Sequence, residues 1–400
     1  MSMAEAPVIW LYGGPEGRSR ALALVRALED RARCLFLGPP GDPPPQLDLG
    51  PQPDLGRALE TCPPELRPRA CALVGGAPGG LHLECLPCPV LGWAGESGPE
   101  GNLPPEPGAA AGELLAAARS GFRSPWLERV QVNLPLVDLL GPYRGLVQDM
   151  AGLNLEIGLD ARALDRLGPR DLAEARRLLA GRRLTAHLPF IDLVPGSIDP
   201  LVAEAARRRL LAAAQWALDL GAGQAVAHLG FHRVIHQDRE AFCQRLARAL
   251  TPLVERLAGG GCRLVLENVF EPEPAVNLLA RQELARASGR PVGLCLDLGH
   301  ALAFSDSDLE HWWRETSPYL GEVHLHDNDG SFDRHLPVGW GLVDWALVKR
   351  GLAELASPPV LTLEPHREAH LWASLRGLAR MLGPAPADQA PPGPSPRSAP

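Results

Sequence analysis

From residue 129 onward, short apolar segments alternate with amphipathic stretches in a regular order. Between the apolar segments, hydrophobic residues recur every three or four positions, most clearly at 200–220, 239–258, 273–287 and 344–355, which predicts helices. The apolar segments predict strands buried on both faces of a parallel sheet. There are eight of them, at 130–134, 153–159, 184–188, 225–229, 264–269, 293–298, 322–326 and 360–363. Eight such units in about 250 residues favour a closed (β/α)8 TIM barrel over an open sheet.

The part of the chain before the barrel has a looser α/β pattern. Apolar runs at 8–12, 34–37 and 71–74 accompany a helical stretch at 18–31. We therefore expect a small α/β N-terminal domain of open role at 1–120, the barrel at 121–382, and a disordered Pro-rich tail at 383–400. The turn Gly13–Gly17 can cradle a phosphate, but its spacing differs from the dinucleotide fingerprint, and an ordinary turn is favoured.

Composition narrows the class of protein. Hydrophobic residues make up 46% and charged residues 22% of the chain, as in soluble globular proteins. The formal net charge of −8 disfavours nucleic acid as a partner. No apolar run has the length of a membrane span and no signal peptide is recognisable, so a cytoplasmic location is the default expectation. The pair Cys85 and Cys88 is a weak zinc signal by itself, and reduced core thiols are expected.

Polar residues concentrate where the predicted strands end, which is the edge that carries the active site in a TIM barrel. A single histidine at such a position is usually a hydrogen-bonded core residue. Carboxylates such as Glu267, Asp297 and Glu364, however, are costly to bury in apolar strands without a partner or a cation. If the barrel closes, these carboxylates converge on one pocket, and their mutual repulsion favours a bound metal cation. The candidate metal ligands are Glu267, Asp297, His324, Glu364, His187, His228, His300, Asp333 and His335.

Imidazole and carboxylate donors without thiolate suit Zn, Mn, Fe or Co. Nine candidates exceed what one ion uses, so between one and three ions per chain remain open. In one alternative, carboxylates bridge two or three ions. In the other, a single ion is held by four residues while the remaining histidines bind substrate. Those four are Glu267, Asp297, His324 and Glu364.

The chain resembles the xylose-isomerase-like TIM-barrel superfamily over about residues 129–382. This superfamily includes sugar-phosphate isomerases and epimerases and the endonuclease IV type of AP endonuclease. The resemblance rests on six short segments in order: His187-Leu-Pro-Phe, His228-Leu-Gly, Leu266-Glu-Asn, Asp297-Leu-Gly-His300, Val323-His-Leu-His-Asp-Asn-Asp-Gly330 and Asp333-Arg-His-Leu-Pro-Val-Gly-Trp-Gly341.

The resemblance implies roles for these residues. Glu267, Asp297, His324 and Glu364 match the metal ligands of the epimerase branch. In that branch Glu267 and Glu364 would also transfer protons through a metal-bound enediolate, and His300 would contact the substrate. The further ligands of the three-metal endonuclease IV site are matched by His187, His228, Asp333 and His335. The segments after His228 and Asn268 depart from the endonuclease pattern and are closer to the sugar-isomerase-like proteins.

The first functional expectation is a metal-dependent sugar or sugar-phosphate isomerase/epimerase acting on a small molecule. The second is a multinuclear phosphoesterase acting on a small phosphoester or, less readily, abasic DNA; a barrel that only binds a ligand is third. Substrate binding is assigned to Glu156, His326, Arg334 and Trp340, although a tight turn explains the last two equally well. The oligomeric state stays open.

Overall fold

A computed structural model describes residues 8–12, 18–28, 33–37, 70–74, 88, 90–93, 103, 106–120, 126–150, 152–366 and 368–384. The chain divides into two compact units, residues 1–124 with 367–376 and residues 125–366 with 377–400. The turn Gly13–Gly17, Cys85 and the predicted tail from 385 onward lie outside the described residues.

The first unit contains a small parallel sheet, which confirms the predicted N-terminal α/β region. Its elements are β1 (Val8–Tyr12), α1 (Arg18–Leu28), β2 (Arg33–Leu37), β3 (Ala70–Val74), β4 (Val90–Trp93) and α2 (Pro107–Ser120). The four strands are ordered β2-β1-β3-β4. Leu11, Leu24 and Leu114 bring the sheet and both helices into one core. The sequence pattern did not predict β4 or α2, because Pro and Gly residues dominate the segments around them.

The second unit is a closed barrel of eight parallel strands, as predicted. The strands are β5 (Gln131–Pro135), β6 (Leu155–Gly158), β7 (Leu184–His187), β8 (Gln224–His228), β9 (Arg263–Glu267), β10 (Gly293–Asp297), β11 (Leu320–Leu325) and β12 (Val360–Leu363). They pair in chain order, and β12 closes the barrel by pairing with β5. Each strand lies within a few residues of the segment predicted for it.

Helices connect the strands around the outside of the barrel. They are α3 (Leu136–Leu140), α4 (Arg144–Asp149), α5 (Ala161–Arg166), α6 (Pro169–Leu178), α7 (Pro200–Leu220), α8 (Arg239–Gly259), α9 (Pro274–Ser288), α10 (Leu298–Phe304), α11 (Leu309–Thr316) and α12 (Trp345–Glu354), with a 3-10 turn at Ser317–Tyr319. A last helix, α13 (Glu368–Leu382), follows β12, and its residues up to 376 belong to the first unit. Aspartates begin several of them: the side chains of Asp199, Asp238 and Asp344 accept hydrogen bonds from backbone amides of the first turn. Among the described residues, no helix has the length and apolar character needed to cross a membrane.

A layer of buried polar side chains crosses the barrel interior. Gln224 of β8 donates a hydrogen bond to Glu322 of β11 at 2.7 Å, and Thr362 of β12 donates to the same carboxyl group. Strands β8 and β11 are not neighbours in the sheet, so the first of these bonds spans the inside of the barrel. Burial raises the pKa of Glu322 to about 8.

Candidate metal centre

Eleven ionisable side chains meet at the edge of the barrel where the strands end. The parallel register places Asp297 beside His324 and His228 beside Glu267. The cluster contains every metal ligand predicted from the sequence, together with two residues assigned to substrate binding. Its members are Glu156, His187, His228, Glu267, Asp297, His300, His324, His326, Asp333, His335 and Glu364.

Glu267, the last residue of β9, lies between two groups of imidazoles. Its Oε2 atom is 3.0 Å from His187 Nε2 and 2.9 Å from His228 Nε2. Its Oε1 atom is 3.2 Å from His300 Nδ1 and 3.4 Å from His324 Nδ1. The two oxygens of one carboxylate therefore face different groups of nitrogen donors, which is the arrangement that a carboxylate shared by two cations requires.

His324 of β11 occupies the centre of the cluster and is completely buried. Neither of its ring nitrogens makes a hydrogen bond. The Nδ1 atom is 3.4 Å from Glu267 Oε1, 3.4 Å from Glu364 Oε1 and 3.7 Å from Asp297 Oδ2. A buried polar atom without a partner costs about 1–3 kcal/mol. A cation among these four side chains would give the Nδ1 atom of His324 a partner, so the donors present fit a metal ion.

A further group of donors lies on the loop after β11 and on α10. Asp333 Oδ2 is 3.3 Å from His300 Nε2 and 3.0 Å from His335 Nε2. The ring of His326 stacks on that of His335 with centroids 4.0 Å apart. The other oxygen of Asp333 is buried and has no hydrogen-bond partner. These four residues each offer a ligand atom within 4.8 Å of the others.

Several of the imidazoles and carboxylates favour the charged forms of their neighbours. Burial alone would raise the pKa of Glu267, but His228 and His324 hold it well below its usual range. Burial would lower the pKa of His187, but its hydrogen bond to Glu267 raises it to about 9. The same balance raises the pKa of His335 to about 9. In His228 burial dominates and the pKa is lowered.

Glu364, which follows β12, has the opposite electrostatic environment from Glu267. Burial and the nearby carboxylates of Asp297 and Glu267 raise the pKa of Glu364. Asn133 of β5 donates one hydrogen bond to Glu364 Oε1 at 3.2 Å and another to Glu156 Oε1 at 2.8 Å. Asn133 was not among the predicted site residues, although it is a polar residue of a predicted strand and is aligned with Glu156.

Cysteine does not belong to this donor set. Cys295 of β10 is adjacent to Glu267 across the strand pair. Burial raises the pKa of its thiol well above the usual range, which keeps it neutral. Cys243, Cys262 and Cys295 are buried and form no disulfide, as expected for core thiols.

Asp327 fixes the loop that carries Asp333 and His335. One of its side-chain oxygens accepts from the backbone amide of Val343 at 3.0 Å, and the other accepts from the Trp345 indole at 2.8 Å and the amide of Gly339 at 2.8 Å. Its backbone also pairs with that of Leu336. The loop is therefore anchored at both ends around one buried carboxylate.

The residues assigned to substrate binding occupy different places. Glu156 is completely buried, with its Oε1 3.5 Å from His324 Nε2. His326 Nε2 is 3.0 Å from both oxygens of Asp297. The side chain of Arg334 is half exposed, faces Asp329 at 3.9 Å and lies outside the cluster. Trp340 is partly buried on the same loop. Their roles toward a substrate stay predictions.

Sequence reasoning also missed His366. Its ring stacks on that of His335 with centroids 4.0 Å apart and an angle of 28° between the planes. His366 lies two residues beyond Glu364, and nothing in the strand pattern distinguishes it from an ordinary exposed loop residue. Its stacking on His335 relates it to the cluster.

A model of the family described as "Xylose isomerase-like TIM barrel" matches residues 152–383. The chain belongs to this family. The resemblance predicted from the six segments is thereby confirmed.

Three relatives illustrate how far the similarity extends. The TTHB071 protein of Thermus thermophilus, solved after soaking with ZnCl2, is 31% identical, with a TM-score of 0.53, over 64% of this chain and 98% of that one. A D-tagatose 3-epimerase-like protein shares the fold at 19% identity, with a TM-score of 0.52, over 63% of this chain and 98% of its own. The uncharacterized protein MJ1614 of Methanocaldococcus jannaschii is 24% identical over 182 residues, which cover 46% of this chain and 70% of that protein.

Proposed function

We propose that this chain is a metal-dependent phosphoesterase that binds two or three divalent ions in adjoining sets and hydrolyses a small phosphodiester. The position of Glu267 carries the proposal, because its two oxygens face His187 and His228 on one side and His324 on the other. The four-ligand site that the resemblance implies for an isomerase does not use His187 and His228 as metal ligands. The phosphoesterase, which is the second expectation from the sequence, is therefore favoured over the isomerase/epimerase.

Three sets of residues would hold the ions. The first set is His187, His228 and Glu267; the second is Glu267, Asp297, His324 and Glu364; the third is His300, Asp333 and His335. When bound, such ions supply positive charge for phosphoryl oxygens and lower the pKa of water. Imidazole and carboxylate donors suit zinc, and a relative was soaked with ZnCl2.

The charges of the chain make phosphate binding depend on metal. Glu267, Asp297, Asp333 and Glu364 line one small region, and their negative charges repel a phosphate. The imidazoles that offset this charge are the same groups that would bind the ions. His326 lies 3.0 Å from both oxygens of Asp297 and is suited to orient that carboxylate as a positioning residue.

The second candidate is the sugar isomerase/epimerase. It is favoured by the opposite pKa shifts of Glu267 and Glu364, which lie near the same ring nitrogen of His324. Two carboxyl groups whose pKa values are shifted apart are typical of an acid/base pair. This reaction would need one ion, and His187 and His228 would then bind substrate rather than metal.

Metal counting on purified protein, combined with one variant, separates the two candidates. We expect two or three zinc ions per chain after reconstitution. His228→Ala should lose one ion and at least about tenfold in kcat/KM for bis(p-nitrophenyl) phosphate. His311→Ala is the matched control, because His311 lies on α11 outside the cluster and should alter neither quantity.

A different metal count would contradict the proposal. One ion per chain in both the wild type and His228→Ala would contradict the phosphoesterase. Incorporation of deuterium from D2O into D-tagatose, unchanged in His228→Ala, would then support the epimerase. That reaction exchanges a carbon-bound hydrogen, whereas phosphodiester hydrolysis does not.

A further inference from the structure

Large apolar side chains are exposed around the mouth of the metal centre. Eight of the eleven such side chains in the described part of the chain lie on loops that follow barrel strands, the edge at which the metal centre lies. They include Ile191 after β7, Ile235 after β8 and Phe332 after β11, which are 72%, 65% and 66% exposed. Concentrations of exposed apolar surface in soluble proteins mark places where something binds.

Aromatic rings in this region directly contact candidate metal ligands. The ring of Phe190, on the loop after β7, stacks on the ring of His228 with centroids 4.3 Å apart, and its centroid is 5.2 Å from that of His187. Nearly half of Phe190 remains exposed. An apolar surface therefore begins where the first set of ligands ends.

A second group of rings adjoins the third set. The ring of Phe304 of α10 is 5.9 Å from the ring of His300. Phe270, on the loop after β9, is 4.9 Å from Phe304, and Phe332 is 6.3 Å from it. We call Phe190, Phe270, Phe304 and Phe332 the aromatic rim. Its members lie beside ligands of two different sets.

The loop that carries Phe190 is packed in place. A Cβ atom on Gly230, which has a φ of +67°, would lie 2.5 Å from the carbonyl oxygen of Leu193, so the loops after β7 and β8 are in close backbone contact. Arg245 of α8 donates a hydrogen bond to the carbonyl oxygen of Gly196 at 3.0 Å. The exposure of Phe190 is thus a property of a well-packed loop.

The charges of the same loops argue against a polyanionic ligand. In residues 188–199, 229–238, 268–273, 298–308 and 326–344 there is no lysine, and the basic residues are Arg233 and Arg334. Arg233 is paired with Asp306 at 2.9 Å, and Arg334 faces Asp329 at 3.9 Å. Binding of DNA relies on many basic side chains that contact successive phosphates.

We propose that the substrate is a phosphodiester that carries a bulky, flat apolar group. The phosphate would lie at the metal centre and the apolar group against the rings of the aromatic rim. The identity of the reacting group rests on the proposed function, whereas the preference for an apolar group rests on the rim alone. A compact sugar phosphate would leave these rings uncovered.

Binding of two stable phosphate monoesters to the zinc-loaded full-length protein tests the preference. Calorimetry should show that 2-naphthylmethyl phosphate binds at least about tenfold more tightly than methyl phosphate, because the ring system buries apolar surface. Phe332→Ala and Phe270→Ala should each reduce this ratio at least about threefold. Tyr319→Ala should preserve it, because Tyr319 is an exposed aromatic residue that precedes β11 at the other end of the barrel.

Hydrolysis of two p-nitrophenyl diesters separates this proposal from the proposed function. The esters share a leaving group and differ in their second group, methyl or 2-naphthylmethyl. A binding preference without hydrolysis of either ester would overturn the phosphoesterase and leave the apolar preference standing. Equal affinity for the two monoesters, no binding of either, an unchanged ratio in both Phe variants, or preferred cleavage of an abasic oligonucleotide would overturn the apolar preference.

Discussion

At the scale of single residues, His324 explains why Glu156 is buried where no solvent reaches it. The Nδ1 atom of His324 faces three candidate metal-binding carboxylates, and its Nε2 atom faces Glu156 Oε1 at 3.5 Å. A carboxylate behind a metal-binding imidazole fixes the tautomer and raises the basicity of the ligating nitrogen. Nearby residues hold Glu156 itself: Asn133 and Thr185 both donate hydrogen bonds to it.

The first prediction concerns this pair. Glu156→Gln keeps the size of the side chain and removes its charge, so metal affinity, measured by competition with a chromogenic chelator, should fall about 10-fold to 100-fold. Circular dichroism should show an intact fold. Glu255→Gln, an exposed site on α8, should change nothing. Unchanged affinity in Glu156→Gln would mean that Glu156 does not support His324.

The second prediction concerns protons. In the metal-free protein the pKa values of His187 and His335 are raised to about 9, so both are protonated at pH 7 and must lose a proton to bind metal. Zinc binding at pH 7 should therefore release more than one proton, and the apparent affinity should rise between pH 6 and pH 9. Calorimetry in two buffers of different ionisation enthalpy counts the protons. Release of fewer than one would contradict the raised pKa values.

The same shifts fix the sign of the pH dependence of stability. A histidine whose pKa is raised on folding contributes stability that is complete below its unfolded value near 6.5 and is lost as the pH rises through the folded value. The metal-free protein should thus lose stability between pH 6.5 and pH 9 through His187 and His335. Protonated imidazole stabilises the carboxylate cluster only until a cation replaces it.

At the scale of elements, the loop between β11 and α12 carries Asp333 and His335 and has little secondary structure of its own. The carboxylate of Asp327 holds this loop in place instead, because it accepts hydrogen bonds from Gly339, Val343 and Trp345. Close packing adds to this: a Cβ atom on Gly341 would lie 2.3 Å from the carbonyl oxygen of Asn328. The third set of ligands therefore depends on one buried side chain that would not itself bind metal.

The third prediction follows from this anchor. Asp327→Ala removes four hydrogen bonds to a buried carboxyl group, one of them from the backbone amide of Asn328. It should lower the free energy of unfolding by about 2–5 kcal/mol in urea denaturation. It should also lose one bound ion, while the set at His187 and His228 stays filled. Asp329→Ala is the control, because Asp329 is an exposed residue of the same loop. Full metal content in Asp327→Ala would show that the loop holds its shape without the anchor.

Elements also show what the sequence can and cannot predict. The eight barrel strands were predictable because strands buried on both faces are apolar throughout, and the ligands at their ends follow from barrel closure. The bond from Gln224 to Glu322 was not predictable, because it joins strands that are distant in sequence and not neighbours in the sheet. The depth of Glu156 below the site was not predictable either. Strand alternation places its side chain in the barrel interior, but it does not distinguish a residue that contacts substrate from one that lies beneath His324.

At the scale of the whole molecule, the unfavourable burial of ionisable side chains at the candidate metal centre falls within one of the two units. The barrel brings buried carboxylates and imidazoles from seven of its strands and their loops to one edge. A cation that binds only the folded barrel adds its binding free energy to the stability of that unit. Strands β1–β4 of the other unit contribute no residue to the described cluster.

The fourth prediction uses this difference between the units. Chelation of zinc with EDTA should lower the Tm of the barrel by roughly 5–15 °C, since binding at 1,000 times Kd contributes about 4 kcal/mol per site. Hydrogen exchange followed by mass spectrometry should then show faster exchange in residues 326–344 and 188–199, whose loops carry or adjoin ligands. Peptides from β1 and β3 should exchange at unchanged rates, because no ligand of the described cluster comes from them. Uniform acceleration across both units would instead mean that the metal stabilises the chain as one cooperative body. Unchanged exchange in the ligand-bearing loops would mean that metal binding does not contribute to the stability of the fold.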